Sequence, residues 1–252
     1  MHRTPFATFS GAVALVAAVV AGAAQAEPVT LTAADGVTVF GDVWRAPGSR
    51  PPVIVAFHQA ESSAAEYAPL APRLVEAGFT VLAIDQRSGD GAFGGTNRTV
   101  AARGASTDYD DALPDLEAAL AWAKAEAKGA PVVVWGSSYS ASLAFVLAAA
   151  HPADVSGVVA FSPAEYLRGK TAVRDAAAKV RVPVYIDQAS AADEVAAGAA
   201  ILNAVAARDK QQFVATGRSV HGSSTLRADS NPTGREAHLR SVLAFLGRFT
   251  SR

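Results

Sequence analysis

The stretch Val132-Val133-Val134-Trp135-Gly136-Ser137-Ser138-Tyr139-Ser140 decides how this chain is read. Four consecutive apolar residues without alternation are the pattern of a strand buried on both faces of a parallel sheet. The strand runs into small residues and then into an apolar segment, 141–150, closed by His151-Pro152. Gly-x-Ser-x-Ser at a strand-to-helix junction has the form of a nucleophile elbow. The central serine sits on a turn so tight that the positions two before and two after it need small side chains. Gly136 and Ser140 are both small, although Ser140 stands where the usual pattern has a second glycine. The turn lifts Ser138 Oγ above the sheet at a helix N-terminus, where the dipole favours developing negative charge.

Outward from this stretch, strand and helix patterns alternate. Residues 29–31 and 37–44 predict a hairpin around Asp35-Gly36. Residues 53–57 and 79–84 predict further buried strands, with a helix over 64–76 between them, stopped by Gly78. A glycine-rich loop, 86–107, is longer than ordinary connections and reads as functional. Residues 108–128 predict an amphipathic helix with Leu113, Leu116, Leu120 and Ala123 on one face. Its acidic start, Asp108, Asp110 and Asp111, suits the helix dipole better than a cation site. Strands are expected at 155–161, 182–186 and 212–215, and helices at 193–208 and 234–249. The expected fold is a three-layer α/β/α sandwich around a mostly parallel sheet of about eight strands.

A serine hydroxyl is a weak nucleophile and needs a base. Outside the first 26 residues the chain has four histidines. His151 reads as a helix cap, and His238, inside the last helix, as a surface residue. His58 ends the third strand, at the sheet edge where ligands bind in open α/β folds. His221, in the loop after the last strand, is placed to reach Ser138. The base in turn needs a carboxylate to fix its tautomer and stabilise the imidazolium. Asp193 is the first choice, with Glu194 or Asp187 as alternatives, all after strand 182–186. Candidate pocket residues are His58, Arg87, Phe93 and Tyr166.

The composition excludes several other chemistries. The chain has no cysteine, so disulfides, iron–sulfur clusters, thiolate zinc sites and a thiol nucleophile are ruled out. A net charge of −1 provides no basic field for nucleic acid. Residues 1–26 read as a cleaved signal peptide: Arg3, an apolar run, and the A-x-A site Ala24-Gln25-Ala26. The apolar run is short for a membrane span of about 20 residues. The expectation is an exported domain over residues 27–252, periplasmic or extracellular, without stable membrane insertion. Its oligomeric state is not legible.

The elbow, acid loop and histidine loop, in the order Ser138, Asp193, His221, resemble the α/β-hydrolase superfamily over nearly the whole chain after the leader. Within that superfamily the chain is similar to compact dienelactone-hydrolase-like or lysophospholipase-like esterases without a large lid domain. True dienelactone hydrolases use a cysteine where this chain has Ser138. The resemblance implies an oxyanion hole from the backbone N–H groups of Gln59 and Tyr139. It also implies hydrolysis of a small-molecule carboxylic ester through an acyl-enzyme, with no metal or organic cofactor. A serine peptidase and a catalytically silent binding protein on the same fold are the alternatives.

Overall fold

The structure, a computed structural model, describes residues 25–250. The expected leader, residues 1–26, lies outside the described residues except for Gln25 and Ala26. One sheet of eight strands runs in the order β1-β2-β4-β3-β5-β6-β7-β8. β1 (Glu27–Thr32) and β2 (Thr38–Trp44) form the antiparallel hairpin, and β2 pairs antiparallel with β4 (Thr80–Asp85). β3 (Val53–Phe57), β5 (Val132–Ser137), β6 (Gly157–Phe161), β7 (Val184–Asp187) and β8 (Lys210–Phe213) continue the sheet in parallel with β4.

The central strands are apolar throughout because both of their faces are covered. Along β5, Val132 and Val134 face one layer while Val133 and Trp135 face the other. The first layer holds α3 (Leu113–Ala127), α4 (Tyr139–Ala150), α5 (Ala172–Ala177) and α6 (Ala192–Ala204). The second holds α1 (Ala71–Glu76) and α7 (Arg235–Leu246), the latter through Leu239, Val242, Phe245 and Leu246. This is the three-layer sandwich expected from the sequence.

The departures are local. The helix expected over 64–76 is split into a 3-10 turn, Ala64–Glu66, and the short α1. Pro72 lies in the first turn of α1, where its missing N–H costs nothing; further into a helix it would interrupt the bonding. The long loop contains α2 (Arg98–Arg103), capped by the Asn97 side chain on the Val100 N–H. The helix expected from residue 108 begins as a 3-10 turn, Tyr109–Ala112. Only residues 162–171 separate β6 from α5, too few for a lid domain.

Strand order reverses about β3: β4 lies on one side of it and β5 on the other. That switch opens a crevice at the carboxyl ends of β3 and β5. The parallel register places Phe57 opposite Gly136, Ser137 opposite Phe161, and Phe161 opposite Asp187. The loops leaving these residues therefore share one edge, and the candidate site residues come together there.

Candidate active site

Ser138 stands between β5 and α4 with φ 59° and ψ −123°. A non-glycine residue at such angles is strained and persists only where its surroundings enforce it. Ser138 N–H donates to the Phe161 carbonyl at 2.7 Å, locking the turn onto β6. A Cβ at Gly136 would collide with the Ser140 carbonyl and with Ala141, so glycine is required there. Ser140 is more than tolerated. Its Oγ donates to the His58 carbonyl at 2.6 Å and accepts from Gln86 Nε2 at 2.6 Å. The residue that departs from the glycine pattern thus ties the elbow to the ends of β3 and β4.

His221 Nε2 lies 2.8 Å from Ser138 Oγ, and His221 Nδ1 lies 3.0 Å from Glu194 Oε1. Donation of Nδ1–H to the carboxylate leaves the Nε2 lone pair facing the serine hydroxyl. Glu194 Oε2 accepts from Ser162 Oγ at 2.7 Å and from Ala189 N–H at 3.2 Å. Burial opposes the charge on Glu194, but the hydrogen bonds from His221 and Ser162 outweigh it and hold the carboxyl below its ordinary range. Ser162 also accepts from Gly222 N–H at 2.9 Å, so it joins the acid to the histidine loop.

The carboxylate that meets His221 is therefore that of Glu194, not the first choice Asp193. Both occupy the first turn of α6, but side chains one residue apart on a helix point about 100° apart. Asp187 is committed elsewhere. It accepts from Nδ1 of His238 at 2.8 and 2.9 Å, with both side chains fully buried. His238 is thus a core residue rather than the surface residue expected.

Gln59 does not offer a free oxyanion donor. Its N–H donates at 2.8 Å to Glu66 Oε2, a fully buried carboxylate. The next amide, Ala60 N–H, has no acceptor among the described residues, and neither has Tyr139 N–H at the start of α4. Phe57 is opposite Gly136 at the end of the β3–β5 register, so the loop that carries Ala60 and the turn that carries Tyr139 leave the same sheet edge.

Two pocket candidates prove to be framework. His58 is fully buried, and burial pushes its imidazole down to about 4, leaving it neutral. Accordingly its Nδ1 donates to the Gln59 carbonyl at 2.7 Å and its Nε2 accepts from Gln86 N–H at 3.0 Å. Arg87 is buried and spends its charge on Asp115 and Asp35. Phe93 is half-buried, with the Arg227 guanidinium 4.5 Å above its ring. Tyr166 alone of the four lies near enough to the nucleophile for Ser138 to influence its phenol. Burial, then the nearby Glu194 charge, raise its phenol above the ordinary range.

A groove of about 460 Å³ extends from Tyr166 between Tyr109 and Leu167, rimmed by Asp108, Asp110 and Arg168. Tyr109 stacks on Tyr139 at 4.3 Å, so the groove wall rests on the residue after the nucleophile. The acidic trio is tied to Arg168: its guanidinium meets Asp108 and Asp111, and its N–H meets Asp110. Among the described residues no group of three or more metal-ligating side chains is placed to hold an ion. No described helix is long and apolar enough to cross a membrane.

Residues 49–181, just over half of the chain, match the family described as serine aminopeptidase, S33. The chain belongs to this family of α/β hydrolases and is a serine hydrolase. No curated protein matches it. Among solved structures it is similar to a dienelactone hydrolase from Anabaena variabilis ATCC 29413. That match has a TM-score of 0.71 and 18% identity, and covers 91% of this chain and 100% of the other. An esterase of Pyrococcus furiosus aligns with a TM-score of 0.66 and 19% identity, over 90% and 92% of the two chains. Brefeldin A esterase, a bacterial protein, aligns with a TM-score of 0.70 and 17% identity, over 95% and 81%. At these identities the likeness concerns the fold.

Proposed function

We propose that this protein hydrolyses carboxylic esters through an acyl-enzyme, acting after export from the cytoplasm. The observation that carries the reading is the continuous line from Ser138 Oγ through the His221 ring to Glu194, at 2.8 and 3.0 Å, set on a strained elbow. Ser138 attacks the carbonyl carbon while His221 Nε2 takes its proton. Glu194 stabilises the imidazolium so formed. The oxyanion is received by the N–H groups of Tyr139 and Ala60, a donor of this kind being worth about 3 kcal/mol. His221 then returns the proton to the leaving alcohol, and water repeats the sequence on the acyl-enzyme.

The ester reading rests on the openness of the site and on the groove chemistry. His221 leaves 40% of its side chain exposed, and among the described residues the connection from β6 to α5 is too short for a lid domain. The Tyr109–Tyr166 groove is where the larger half of the substrate lies. An aminopeptidase, the activity in the family's description, must hold an α-ammonium group beside the nucleophile. The groove carboxylates Asp108 and Asp110 are tied to Arg168 instead. The export reading rests on the sequence of residues 1–26 alone.

The test is labelling by a fluorophosphonate, followed by p-nitrophenyl esters of graded acyl length beside aminoacyl amides. Wild type is expected to label at Ser138 and to turn over short esters, and Ser138→Ala to do neither. Turnover confined to the amides would overturn the ester assignment. Secreted protein whose N-terminus is still Met1 would overturn the cleavage.

A further inference from the structure

Glu66 is fully buried, yet no expectation from the sequence gave it a role. Its Oε2 accepts from Gln59 N–H at 2.8 Å, and its Oε1 accepts from Ser137 Oγ at 2.7 Å. Ser137 Oγ in turn accepts from Ser223 N–H at 2.8 Å. One carboxylate therefore joins the loop after β3, the residue before the nucleophile, and the loop that carries His221. All three meet at Gly222, where a Cβ would collide with Gln59 Oε1 and Ser137 Oγ. Arg227, just beyond the histidine loop, grips the same corner from outside, its Nη1 meeting the Ala65 and Glu66 carbonyls at 2.9 and 3.0 Å. Gln59 Oε1 is itself buried with no partner among the described residues, so Gln59 is held through its backbone, its N–H on Glu66 and its carbonyl on His58 Nδ1.

We propose that Glu66 is a positioning residue for the reaction at Ser138, and that its ionised form sets the oxyanion strap by engaging Gln59 N–H and so turning Ala60 N–H toward the reacting carbonyl. This rests on the serine-hydrolase mechanism given above. A carboxylate accepts both hydrogen bonds at once. A carboxylic acid must place a proton on one of those oxygens, where Ser137 Oγ–H or Gln59 N–H already points. A proton on Oε2 displaces Gln59 N–H, and a proton on Oε1 reverses the Ser137 bond, so that Ser137 Oγ accepts from both Glu66 and Ser223 N–H and its own proton loses its acceptor.

The charged and titratable groups facing Glu66 are Arg227 and His221, with Tyr67 beside it on its own segment. Its other neighbours are the uncharged donors already named. Burial is the largest influence and pushes the carboxyl up to about 7 against these partners, so the change of state falls in the working range of an imidazole base.

The experiment follows the second-order rate of fluorophosphonate labelling of Ser138 from pH 5 to pH 9, for wild type and Glu66→Gln. Two groups must be deprotonated in wild type, His221 and Glu66. The logarithm of the rate is then expected to rise with a slope approaching two on the acid limb. Glu66→Gln is nearly isosteric and does not titrate there. Its slope is expected to fall to one, and its plateau to drop about 10- to 100-fold, less than the roughly 10²- to 10³-fold loss when an oxyanion donor is removed outright. With an ester substrate the loss is expected in kcat, with KM little changed.

A slope of one in wild type overturns the inference without any variant being needed. Identical profiles for the two proteins overturn it as well. Wild type that does not label at any pH overturns the serine-hydrolase mechanism and this inference together, so the two failures are told apart.

Discussion

Asp187, the last residue of β7, accepts a hydrogen bond at 2.8 Å from His238 Nδ1, which reaches it from α7 across the second helical layer. Tyr185 Oη adds a second donor to the same carboxylate at 3.1 Å. This cluster removes from the site the acid that directly ends the strand and gives it a structural task. Burial raises the Asp187 carboxyl above its ordinary range, and the hydrogen bonds from His238 and Tyr185 oppose that rise. The acid that serves His221 comes instead from the first turn of α6.

Breaking the Asp187–His238 pair should therefore cost stability and spare the chemistry. Removing one member of a buried pair typically costs about 3 to 5 kcal/mol. Asp187→Asn is expected to lower the urea midpoint accordingly, while the folded fraction labels Ser138 at the wild-type rate. A loss of labelling at unchanged stability would place Asp187 in the catalytic line instead.

The first-turn carboxylates of α6 should separate cleanly. Glu194→Gln keeps the shape but no longer holds the imidazole tautomer by charge, and kcat is expected to fall by roughly 10³- to 10⁴-fold. Asp193→Asn is expected to leave kcat within about twofold, as is usual for a surface substitution away from such features. Parallel kinetics of the two variants on one ester decide the matter, and a reversed order would restore Asp193 as the acid.

This pair also marks where sequence reasoning stops. The sheet was legible because 53–57, 79–84 and 132–135 are runs of apolar residues bounded by breakers, a pattern that only doubly covered strands sustain. The elbow and the histidine loop were legible because strand, turn and helix follow in a fixed order. Which of two adjacent carboxylates meets the imidazole depends on a rotation of about 100° about the helix axis and on the entry angle of α6. Neither is written in composition or spacing. His238 was recoverable in principle, since it lies four residues before Val242 and seven before Phe245 on the buried stripe of α7. Glu66 was not, because a glutamate in an alanine-rich helical stretch reads as solvated charge.

Ser140 offers a test of the elbow's supports. Ser140→Ala removes a hydroxyl that serves both the His58 carbonyl and Gln86 Nε2. Gln86 keeps its bond to Tyr139 Oη at 2.9 Å, but the His58 carbonyl loses the Ser140 donor. An unsatisfied buried partner costs about 1 to 3 kcal/mol. The variant is expected to unfold earlier by that amount, with labelling of Ser138 slowed only modestly. Ser140→Gly, closer to the usual elbow pattern, should be no more stable than Ser140→Ala. A glycine variant more stable than wild type would show that elbow strain outweighs these hydrogen bonds.

The stability of Glu66→Gln separates positioning from ordinary packing. In the folded protein burial pushes Glu66 up to about 7, against an ordinary value of 4.5. The native state therefore binds this proton more tightly than the unfolded chain does. Stability from this group is fullest below the unfolded value, declines as pH rises toward the folded value, and is flat beyond it. Between pH 5 and pH 8 wild type should lose about 2 kcal/mol from this group, at 1.36 kcal/mol for each pH unit of displacement. Glutamine does not titrate, so Glu66→Gln does not share that loss. Whatever fixed penalty the substitution carries, its stability relative to wild type should improve by about that amount from pH 5 to pH 8, read from urea denaturation at both pH values. A constant offset at the two pH values would mean that Glu66 does not titrate in this range. A protein that carries in its core a carboxyl group ionising near neutral pH accepts lower stability above that range, and the oxyanion strap is what the charge holds in place.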